Sequence, residues 1–556
     1  MVNYRANPLN LSEDDIRWVE NTYLSMSVEE RIGQLFCPIG YSSDPGYLRH
    51  AILSKHPGGI LFRTGAKDEI ASTYRFLQEN SRIPMFTAAN AEAGGDGIVD
   101  EGTSFGKQMQ VAASGKAENA YRLGKVCARE ARAVGCNYAF APVVDIDFNW
   151  RNPITNVRTY GSDPEAVLRY AKEYQRAMAE EGLLTAIKHF PGDGVDERDQ
   201  HILTSVNSLS QEEWLSTYGK VYGALIEDGA KSVMIGHIAL PAFEEDEGII
   251  PASLSPAILR KLLRGRLHFN GLIISDATPM VGFCSAMDRK TAVPYSIMAG
   301  IDMFLFNKDY DEDYGFMMEG YRTGLLTEER LREAVTTILA TKASIGLHRK
   351  ANGPEKEYES YLRCEEHLAW ARECASDAIT LVKDTQRLLP ISPERHHRVL
   401  YEILGESASN ERITGTFLNL MAAEGFEMIP YEKEVFDFSK PLPFDTISQF
   451  REKYDLVIYL GNIENASNKT TNRINWYTLF GLGNNIPWFV KEVPTLFVSL
   501  QNPYHLADVP MISTYVNCYS NHDLVLEELV KKLEGKDNFR GVSPVDPYCS
   551  MEYLKK

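Results

Sequence analysis

The chain has 556 residues, of which 44% are hydrophobic and 24% are charged, and its formal net charge at pH 7 is −18. This composition is typical of a folded globular protein, and the length exceeds that of one ordinary domain of roughly 100 to 200 residues, so we expect two domains. The acidic balance argues against nucleic acid and against an anionic membrane as partners, because both require clustered Lys and Arg.

The first residues of the chain show no export signal. Residues 1–10 lack the basic-then-apolar pattern of a signal peptide, and no apolar run approaches the roughly 20 residues that a membrane-spanning helix needs. We therefore expect a cytoplasmic protein. The eight cysteines are scattered without a CxxC pair, which favours buried free thiols over a zinc site or a disulfide framework. No pattern in the sequence indicates the oligomeric state.

Short apolar runs alternate with longer amphipathic stretches over residues 1–350, which is typical of repeated βα units. The predicted strands are Ile32–Cys37, Gly59–Phe62, Met85–Ala89, Tyr138–Ile146, Leu183–Phe190, Val233–His237, Gly271–Ser275 and Ile301–Phe306. Helical patterns between them include residues 117–134 and 164–181, the second opening with Pro164. Eight strands joined by helical crossovers favour a (β/α)8 barrel of the TIM type over an open sheet.

The remainder of the chain predicts a second, smaller α/β sandwich domain. Residues 351–378 are interpreted as a linker, with Gly353-Pro354, and a connecting helix. Residues 379–556 then carry a second α/β pattern. The predicted elements are strands at Ile379–Val382, Val399–Leu404, Leu456–Leu460, Leu496–Leu500 and Thr514–Asn517 and a helix at His522–Leu533.

Two segments bear on cofactors. The run Gly481-Leu-Gly483-Asn-Asn-Ile486 partly matches a dinucleotide-binding pattern, but it lacks the third glycine and follows no clear strand. The acidic residues between 193 and 199 miss the alternate spacing of an EF-hand calcium loop. A solvated surface loop remains an alternative interpretation of this acidic segment. We expect neither a metal nor an organic cofactor.

Polar residues follow several predicted strands of the barrel. Catalytic residues of such barrels lie at the carboxyl ends of the strands, because the βα loops meet on that face. The polar residues at those positions are Asn90, Glu92, Asp145, Asp147, Lys188, His189, His237 and Asp276. We expect these side chains to converge on one pocket.

Asp276 ends the apolar run Gly271-Leu-Ile-Ile-Ser275 and is the candidate nucleophile. A carboxylate at a rigid strand end can attack an anomeric carbon and later depart as a good leaving group. Its own context is also compatible with an N-cap of the following helix. The assignment therefore depends on other motifs.

The chain resembles glycoside hydrolase family 3, and most closely its β-N-acetylhexosaminidase branch. The matching motifs are Lys188-His-Phe-Pro-Gly192, Ala141-Pro-Val-Val-Asp145, Arg158-Thr-Tyr-Gly-Ser-Asp163-Pro164, Ile273-Ile-Ser-Asp276, Ala299-Gly-Ile-Asp-Met303, Ile379-Thr-Leu-Val-Lys383 and Leu388-Leu-Pro390. They cover nearly the whole chain in the family's order.

The resemblance implies roles for individual residues. Asp276 corresponds to the nucleophile, and Asp199 and His201 correspond to the branch's acid/base pair, in which the Asp orients a His that donates and later accepts the proton. The implied sugar-binding residues are Arg158, Lys188, His189, His237, Asn90 and Glu92. Alternatives remain for several: His201 as an ordinary loop residue, Lys188 paired with Asp145, Arg158 anchoring its loop, and His237 orienting a neighbour.

Three departures from the family pattern affect specificity. Asn90 stands where the family usually has an Asp that holds distal sugar hydroxyls, and Glu92 could take over that role. Asp96 replaces an Arg, and Asp193 replaces a His. These changes alter the outer pocket, so activity on peptidoglycan fragments does not follow from the resemblance.

The resulting expectation is a retaining exo-glycosidase acting on a small-molecule carbohydrate. It would hydrolyse terminal β-linked N-acetylglucosamine, or a related N-acetylhexosamine, through a covalent glycosyl-Asp276 intermediate. One alternative is a phosphorylase, since a neutral acid/base repels phosphate less than a carboxylate does. The others are a β-glucosidase of the same family and a catalytically inactive sugar-binding protein.

Overall fold

The computed structural model describes residues 2–245, 248–349, 353–431, 445–476, 478–479, 482–483 and 485–556. The chain divides into two compact units, the first comprising residues 1–108, 117–370 and 467–470, and the second residues 109–116, 371–466 and 471–556. The sequence instead places residues 109–116 within the first domain and 467–470 within the second. Residues 351–352 of the predicted linker, and residues 481 and 484 of the glycine pattern, lie outside the described residues.

Unit 1 contains a curled parallel sheet. Two short strand pairs accompany this sheet. The strands of unit 1 are β1 (Phe36–Cys37), β2 (Ile39–Gly40), β3 (Gly59–Phe62), β4 (Phe86–Ala89), β5 (Tyr138–Ala139), β6 (Leu184–Phe190), β7 (Ser205–Val206), β8 (Ser232–Ile235), β9 (Ile238–Ala239), β10 (Leu272–Ser275) and β11 (Phe304–Leu305). Seven of them form the sheet in the order β2-β3-β4-β5-β6-β8-β10. β11 pairs with β1 in parallel, and Met303 just before it bridges Ile274 of β10. β7 and β9 form a separate parallel pair.

Helices connect most of these strands, although residues 109–113 and 371–378 of the helices given next group with unit 2. They are α1 (Glu13–Ser25), α2 (Val28–Gln34), α3 (Pro45–Tyr47), α4 (Lys67–Glu79), α5 (Gln108–Ala113), α6 (Glu118–Ala133), α7 (Pro164–Glu180), α8 (Gln211–Ser216), α9 (Tyr218–Glu227), α10 (Val281–Cys284), α11 (Arg289–Ala299), α12 (Tyr310–Arg322), α13 (Glu328–Ser344) and α14 (Glu365–Ala378). A π-helical segment covers Ala257–Arg266. α7 begins as its sequence predicts: Pro164 occupies the first turn and the Asp163 side chain accepts the backbone N–H groups of the next residues.

Several predicted strands of unit 1 are shorter than the sequence suggested. The prediction Ile301–Phe306 is reduced to β11 (Phe304–Leu305), and the prediction Val233–His237 ends at Ile235. The prediction Ile32–Cys37 is wrong at its start, because α2 continues to Gln34 from a capping box between Ser27 and Glu30. The prediction 138–146 is also too long, since β5 ends at Ala139. Pro142 follows without an N–H group to donate to the ladder, so pairing resumes only as a bridge from Val143 to Lys188.

Unit 2 contains a mixed sheet of six strands. They are β12 (Thr380–Asp384), β13 (Arg398–Leu404), β14 (Glu427–Pro430), β15 (Leu456–Gly461), β18 (Thr495–Ser499) and β19 (Thr514–Asn517), in the order β12-β19-β18-β15-β13-β14. Only β12 and β19 pair in an antiparallel direction within this sheet. β16 (Thr478–Leu479) and β17 (Leu482–Gly483) form a small antiparallel pair.

Apolar cores cover both faces of the sheet in unit 2. Alternate residues of β15 point to opposite faces. Leu456 and Ile458 pack in a core with α15 (Asn410–Ala423) and α17 (Asp523–Leu533), whereas Val457 packs in a second core with Phe450 of α16 (Ile447–Lys453). Unit 2 is therefore a sheet between two layers. Among the described residues, no helix combines the length and apolarity required to cross a membrane.

Candidate active site

Asp276 lies immediately after β10, and its backbone N–H donates to the carbonyl of Ile235 in the neighbouring strand. Its Oδ1 accepts the N–H of Ala277 at 2.7 Å, and its side chain is 14% exposed. Burial raises the pKa of this carboxyl, but the electrostatic effect of the nearby His189, His237 and His201 and the hydrogen bond from the Ala277 N–H outweigh burial and leave the pKa below its usual value. Asp276 is thus an ionised carboxylate with one oxygen, Oδ2, directed away from its own backbone contact.

His189 is held against Asp276 by a second carboxylate. Asp145, which is almost fully buried, accepts the His189 ring Nδ1 at 2.7 Å and the His189 backbone N–H at 3.1 Å. A carboxylate only accepts, so Nδ1 carries the proton. The other ring nitrogen, Nε2, lies 3.9 Å from Oδ2 of Asp276. Asp145 therefore fixes the orientation of His189 beside the candidate nucleophile.

Glu92 binds two cations, Arg158 and Lys188, that the resemblance implies as sugar-binding residues. Its carboxylate accepts Arg158 Nε and Nη2 at 3.0 and 2.9 Å and Lys188 Nζ at 2.6 Å. Burial raises the pKa of Glu92, but Arg158 and Lys188 outweigh it and hold the pKa well below its ordinary value. The pairing alternative of Lys188 with Asp145 is not observed, since the Lys188 ammonium contacts Glu92. Arg158 also reaches the Ile154 carbonyl of its own loop at 3.5 Å.

Asp199 and His201 form the pair that the family resemblance implies. Oδ1 of Asp199 accepts the His201 ring Nδ1 at 2.6 Å and the His201 backbone N–H at 2.9 Å. Asp199 is fully buried, whereas the His201 side chain is 21% exposed. The Asp199 carboxylate therefore fixes the Nδ1–H tautomer and leaves Nε2 of His201 available for proton transfer.

The loop that carries this pair is joined to the loop that follows Asp276. The backbone N–H of Val281 donates to the His201 carbonyl at 3.0 Å, and that of Gly282 donates to the Gln200 carbonyl at 3.2 Å. Gly192 begins the same loop at φ 116, where a Cβ would lie 2.1 Å from the ring of Tyr218. A residue larger than glycine would therefore displace the loop.

His237 makes hydrogen bonds through both ring nitrogens. Nδ1 lies 2.8 Å from Ser253 Oγ, and Nε2 lies 3.1 Å from the carbonyl of Ala277. Burial lowers the pKa of His237 to about 4, so the ring is neutral near pH 7. The carbonyl can only accept, so Nε2 donates and Nδ1 accepts from the Ser253 hydroxyl. This geometry matches the alternative in which His237 orients a neighbour of the candidate nucleophile.

Gln200 and Asp193 belong to the site but were not among the predicted site residues. The Gln200 side-chain oxygen accepts the His237 backbone N–H at 2.7 Å, and its nitrogen lies 3.4 Å from Asp193 Oδ2. Burial, followed by the charge of Asp145, raises the pKa of Asp193 to about 8. The position of Gln200 inside the Asp-x-His motif was visible in the sequence, whereas its contact with β8 was not.

The remaining predicted residues lie at the edge of the site or outside it. Asn90 is exposed just beyond β4. Asp96 accepts the Ser104 hydroxyl, and Asp147 accepts Thr155 and the backbone of Asn156, which holds the loop after β5. Among the described residues there is no group of three or more His, Cys, Asp or Glu side chains able to hold a metal ion.

A sheet of parallel strands with carboxylates, histidines and cations at its carboxyl edge is typical of α/β enzymes whose active site lies at the ends of the strands. The sequence comparison specifies the family. The model of the glycosyl hydrolase family 3 N-terminal domain matches residues 27–341. The chain therefore belongs to glycosyl hydrolase family 3, which confirms the predicted resemblance and the expectation of a glycoside hydrolase.

Individual relatives match over nearly the full length. A β-N-acetylglucosaminidase/β-glucosidase of Cellulomonas fimi is 45% identical over 563 residues, which covers 99% of this chain and 99% of the relative. The solved structure of the β-glucoside phosphorylase BglX superposes with a TM-score of 0.93 at 41% identity, covering 99% of this chain and 100% of that one. A family 3 β-N-acetylglucosaminidase from Paenibacillus sp. str. FPU-7 shares the fold, with a TM-score of 0.79 at 21% identity and coverage of 94% and 99%.

Proposed function

We propose that the protein is a retaining exo-acting β-glycosidase that releases terminal β-linked N-acetylglucosamine or a related N-acetylhexosamine. The observation that supports this most directly is the pairing, within one site, of an ionised Asp276 with a buried Asp199 that orients His201. We also infer that the strand pairs of unit 1, including the links of β11 to β1 and β10, make up a (β/α)8 barrel.

In the first step Asp276 Oδ2 attacks the anomeric carbon of the sugar. As the glycosidic bond breaks, His201 acts in its imidazolium form: it passes the Nε2 proton to the departing oxygen and becomes the neutral Nδ1–H tautomer, which the Asp199 carboxylate holds. The product of this step is a covalent ester between the sugar and Asp276. His189, whose Nδ1–H is held by Asp145, packs its Nε2 edge 3.9 Å from Asp276 Oδ2 and keeps that carboxylate oriented.

In the second step His201 Nε2, now unprotonated, accepts a proton from the water that attacks the anomeric carbon. The bond to Asp276 breaks and the carboxylate is regenerated with retention of configuration. Glu92, Arg158 and Lys188 contact one another in the site, and their unused lone pairs and N–H groups can bind sugar hydroxyls. Their buried ion pairs fix the donors before the sugar arrives.

Phosphorolysis is the second candidate, in which phosphate replaces water in the second step. The structure of the β-glucoside phosphorylase BglX, at 41% identity over 99% of this chain, favours it. That enzyme has also been solved bound to 2FGlc. The chemistry is compatible, because His201 is not an anion when phosphate approaches the glycosyl-Asp276 ester. The Cellulomonas fimi relative is named as a β-glucosidase as well as a β-N-acetylglucosaminidase, so we include glucosides among the proposed substrates.

The test uses D276A and H201A with 4-nitrophenyl and 2,4-dinitrophenyl β-glycosides of N-acetylglucosamine, N-acetylgalactosamine, glucose and xylose. D276A is expected to abolish turnover of every substrate. H201A is expected to lose most activity on poor leaving groups but to cleave the dinitrophenyl glycoside, which needs little protonation. D100A, which changes an exposed Asp of unit 1, is the control. Unchanged rates in both variants would show that the catalytic assignment is wrong.

The acceptor is identified by running the parent protein with and without inorganic phosphate. Hydrolysis gives free sugar at a rate that phosphate does not change, and NMR should show the β-anomer first. Phosphorolysis gives a β-configured sugar 1-phosphate, because two displacements retain the configuration of the substrate. Sugar binding without turnover of any glycoside would instead support the inactive sugar-binding alternative.

A further inference from the structure

The acid/base pair has a hydrogen-bond partner that lies 269 residues away in sequence. The backbone N–H of Asn468 donates to Oδ2 of Asp199 at 2.8 Å. Residues 467–470 group with unit 1, although the residues on either side of them group with unit 2. A four-residue segment from a distant part of the chain is therefore part of the unit that contains the acid/base pair.

This contact completes the hydrogen bonding of Asp199. His201 provides two donors to Oδ1, the ring Nδ1 at 2.6 Å and the backbone N–H at 2.9 Å. The Asn468 N–H is directed at the other oxygen, Oδ2. Because Asp199 is fully buried, loss of this donor would leave a carboxylate oxygen short of a partner in a place where water has little access.

The backbone conformation of Asn468 is one that few other residue types adopt readily. Its φ is +68, in the left-handed region, which Asn adopts more readily than most residues other than glycine. Asn468 itself is exposed, so its side chain is not required to fill a core. The backbone N–H, rather than the side chain, makes the contact with Asp199.

We propose that residues 467–470 form a positioning segment of the active site, in which the Asn468 N–H holds the Asp199 carboxylate so that His201 is presented in the orientation that donates and accepts the proton. The proposal rests on the acid/base role of His201 in the proposed function. When the segment is in place, Asp199 is fixed through both oxygens. When it is displaced, Asp199 can rotate and the His201 ring loses its fixed tautomer and direction.

The proposal predicts a defect that depends on the leaving group. N468P removes the N–H and cannot adopt a φ of +68, so it must break the contact. N468G keeps the N–H and adopts this φ without strain, and it serves as the conservative variant. Each variant is assayed with a 4-nitrophenyl glycoside, an alkyl glycoside and a 2,4-dinitrophenyl glycoside of the preferred sugar, with H201A as the reference for complete loss of proton transfer.

The expected result for N468P is a fall of roughly 10- to 100-fold on the alkyl glycoside, part of the 10²- to 10⁴-fold that general acid catalysis provides, with less than about threefold on the dinitrophenyl glycoside. N468G should restore most of the rate on the alkyl glycoside. Azide is added as a nucleophile that needs no general base, and it should accelerate the deglycosylation of N468P as it does for H201A.

Several outcomes separate failure of the proposal from failure of the proposed function. If H201A shows no leaving-group dependence, the proposed acid/base is wrong. If H201A shows it but folded N468P cleaves all three substrates like the parent protein, the positioning segment is wrong. Equal losses on all substrates in N468P, without azide rescue, would also overturn it. If N468P does not fold, the same comparison is made with N468V, since a β-branched residue is strongly disfavoured at this φ.

Discussion

Replacement of Glu92 by Gln tests whether the ion cluster is needed for the active site. Glu92 accepts two hydrogen bonds from Arg158 and one from Lys188, and the Lys188 side chain is only 4% exposed. Gln keeps the shape but removes the charge and turns one acceptor into a donor. At least one N–H of the two cations would then face another N–H. The two positive charges would lose the anion that compensates them.

The size of the effect follows from burial. Breaking a buried ion pair by removing one partner costs about 3–5 kcal/mol, and the 21% exposure of the Glu92 side chain reduces this to about 2–3 kcal/mol. An uncompensated positive charge also opposes a transition state with oxocarbenium character. If the same free energy is lost from the transition state, kcat/KM falls roughly 30- to 150-fold. The melting temperature should fall by roughly 4 to 8 °C.

The assay compares kcat/KM on 4-nitrophenyl β-glycosides with thermal unfolding of the same preparations. E101Q is the control, because Glu101 is an exposed carboxylate that accepts only a backbone N–H from Lys67 among its described contacts. The lowered pKa of Glu92 makes its contribution to stability present above the unfolded pKa of about 4.3 and lost as the pH falls further. An E92Q variant with parent-like kcat/KM and melting temperature at pH 7 would refute the reasoning.

Three further predictions concern His237, Asp193 and Lys342. H237A should lower kcat roughly 5- to 30-fold with little change in KM, because it removes the donor to the Ala277 carbonyl. Steady-state kinetics measures both constants, and S344A is the control. The free energy of unfolding of D193N should depend less on pH between pH 4 and 8 than that of the parent protein. Because the pKa of Asp193 is raised to about 8, the parent loses up to ~1.4 kcal/mol of this free energy per pH unit as the pH rises. Burial lowers the pKa of Lys342 to about 7. The unfolded chain then binds more protons than the folded one between pH 7 and about 10.4. As the pH rises through this range, the stability of the parent protein should therefore increase relative to that of K342M, and thermal melts at a series of pH values measure the difference.

The strands and helices whose patterns are local could be predicted closely. β15 (Leu456–Gly461) and β19 (Thr514–Asn517) lie within one residue of the predicted ranges, because a buried apolar run bounded by polar residues indicates a strand directly. The start of β1 could not be predicted, since Ile32 is apolar and buried whether the segment is a helix or a strand. The capping box at Ser27 stabilises a helix there, and the apolar pattern alone does not distinguish a helix from a strand.

The candidate site shows the same division between local and distant information. The contact of Asp199 with His201 joins residues two positions apart, and the family resemblance implies it. The partners of Glu92 could not be assigned, because Arg158 lies in a short 3-10 helix after β5 and Lys188 lies in β6. The choice between Glu92 and Asp145 depends on how these elements are placed in space. The Asn468 contact had no local signal at all, since the two residues are 269 positions apart.

The charge of the site bears on whether water or phosphate completes the reaction. A glycosidase that uses a carboxylate as its base presents an anion at the position where the acceptor arrives, and that anion repels phosphate. Here the anion is Asp199, which is fully buried behind His201 and receives hydrogen bonds from His201 and Asn468. In the proposed mechanism the acceptor therefore meets the exposed edge of an imidazole, while the carboxylate charge is already compensated by donors. This arrangement lowers the electrostatic barrier to phosphate without preventing proton abstraction from water. The choice between the two acceptors then depends on how tightly phosphate binds, which makes the phosphate concentration the decisive variable in the turnover experiment.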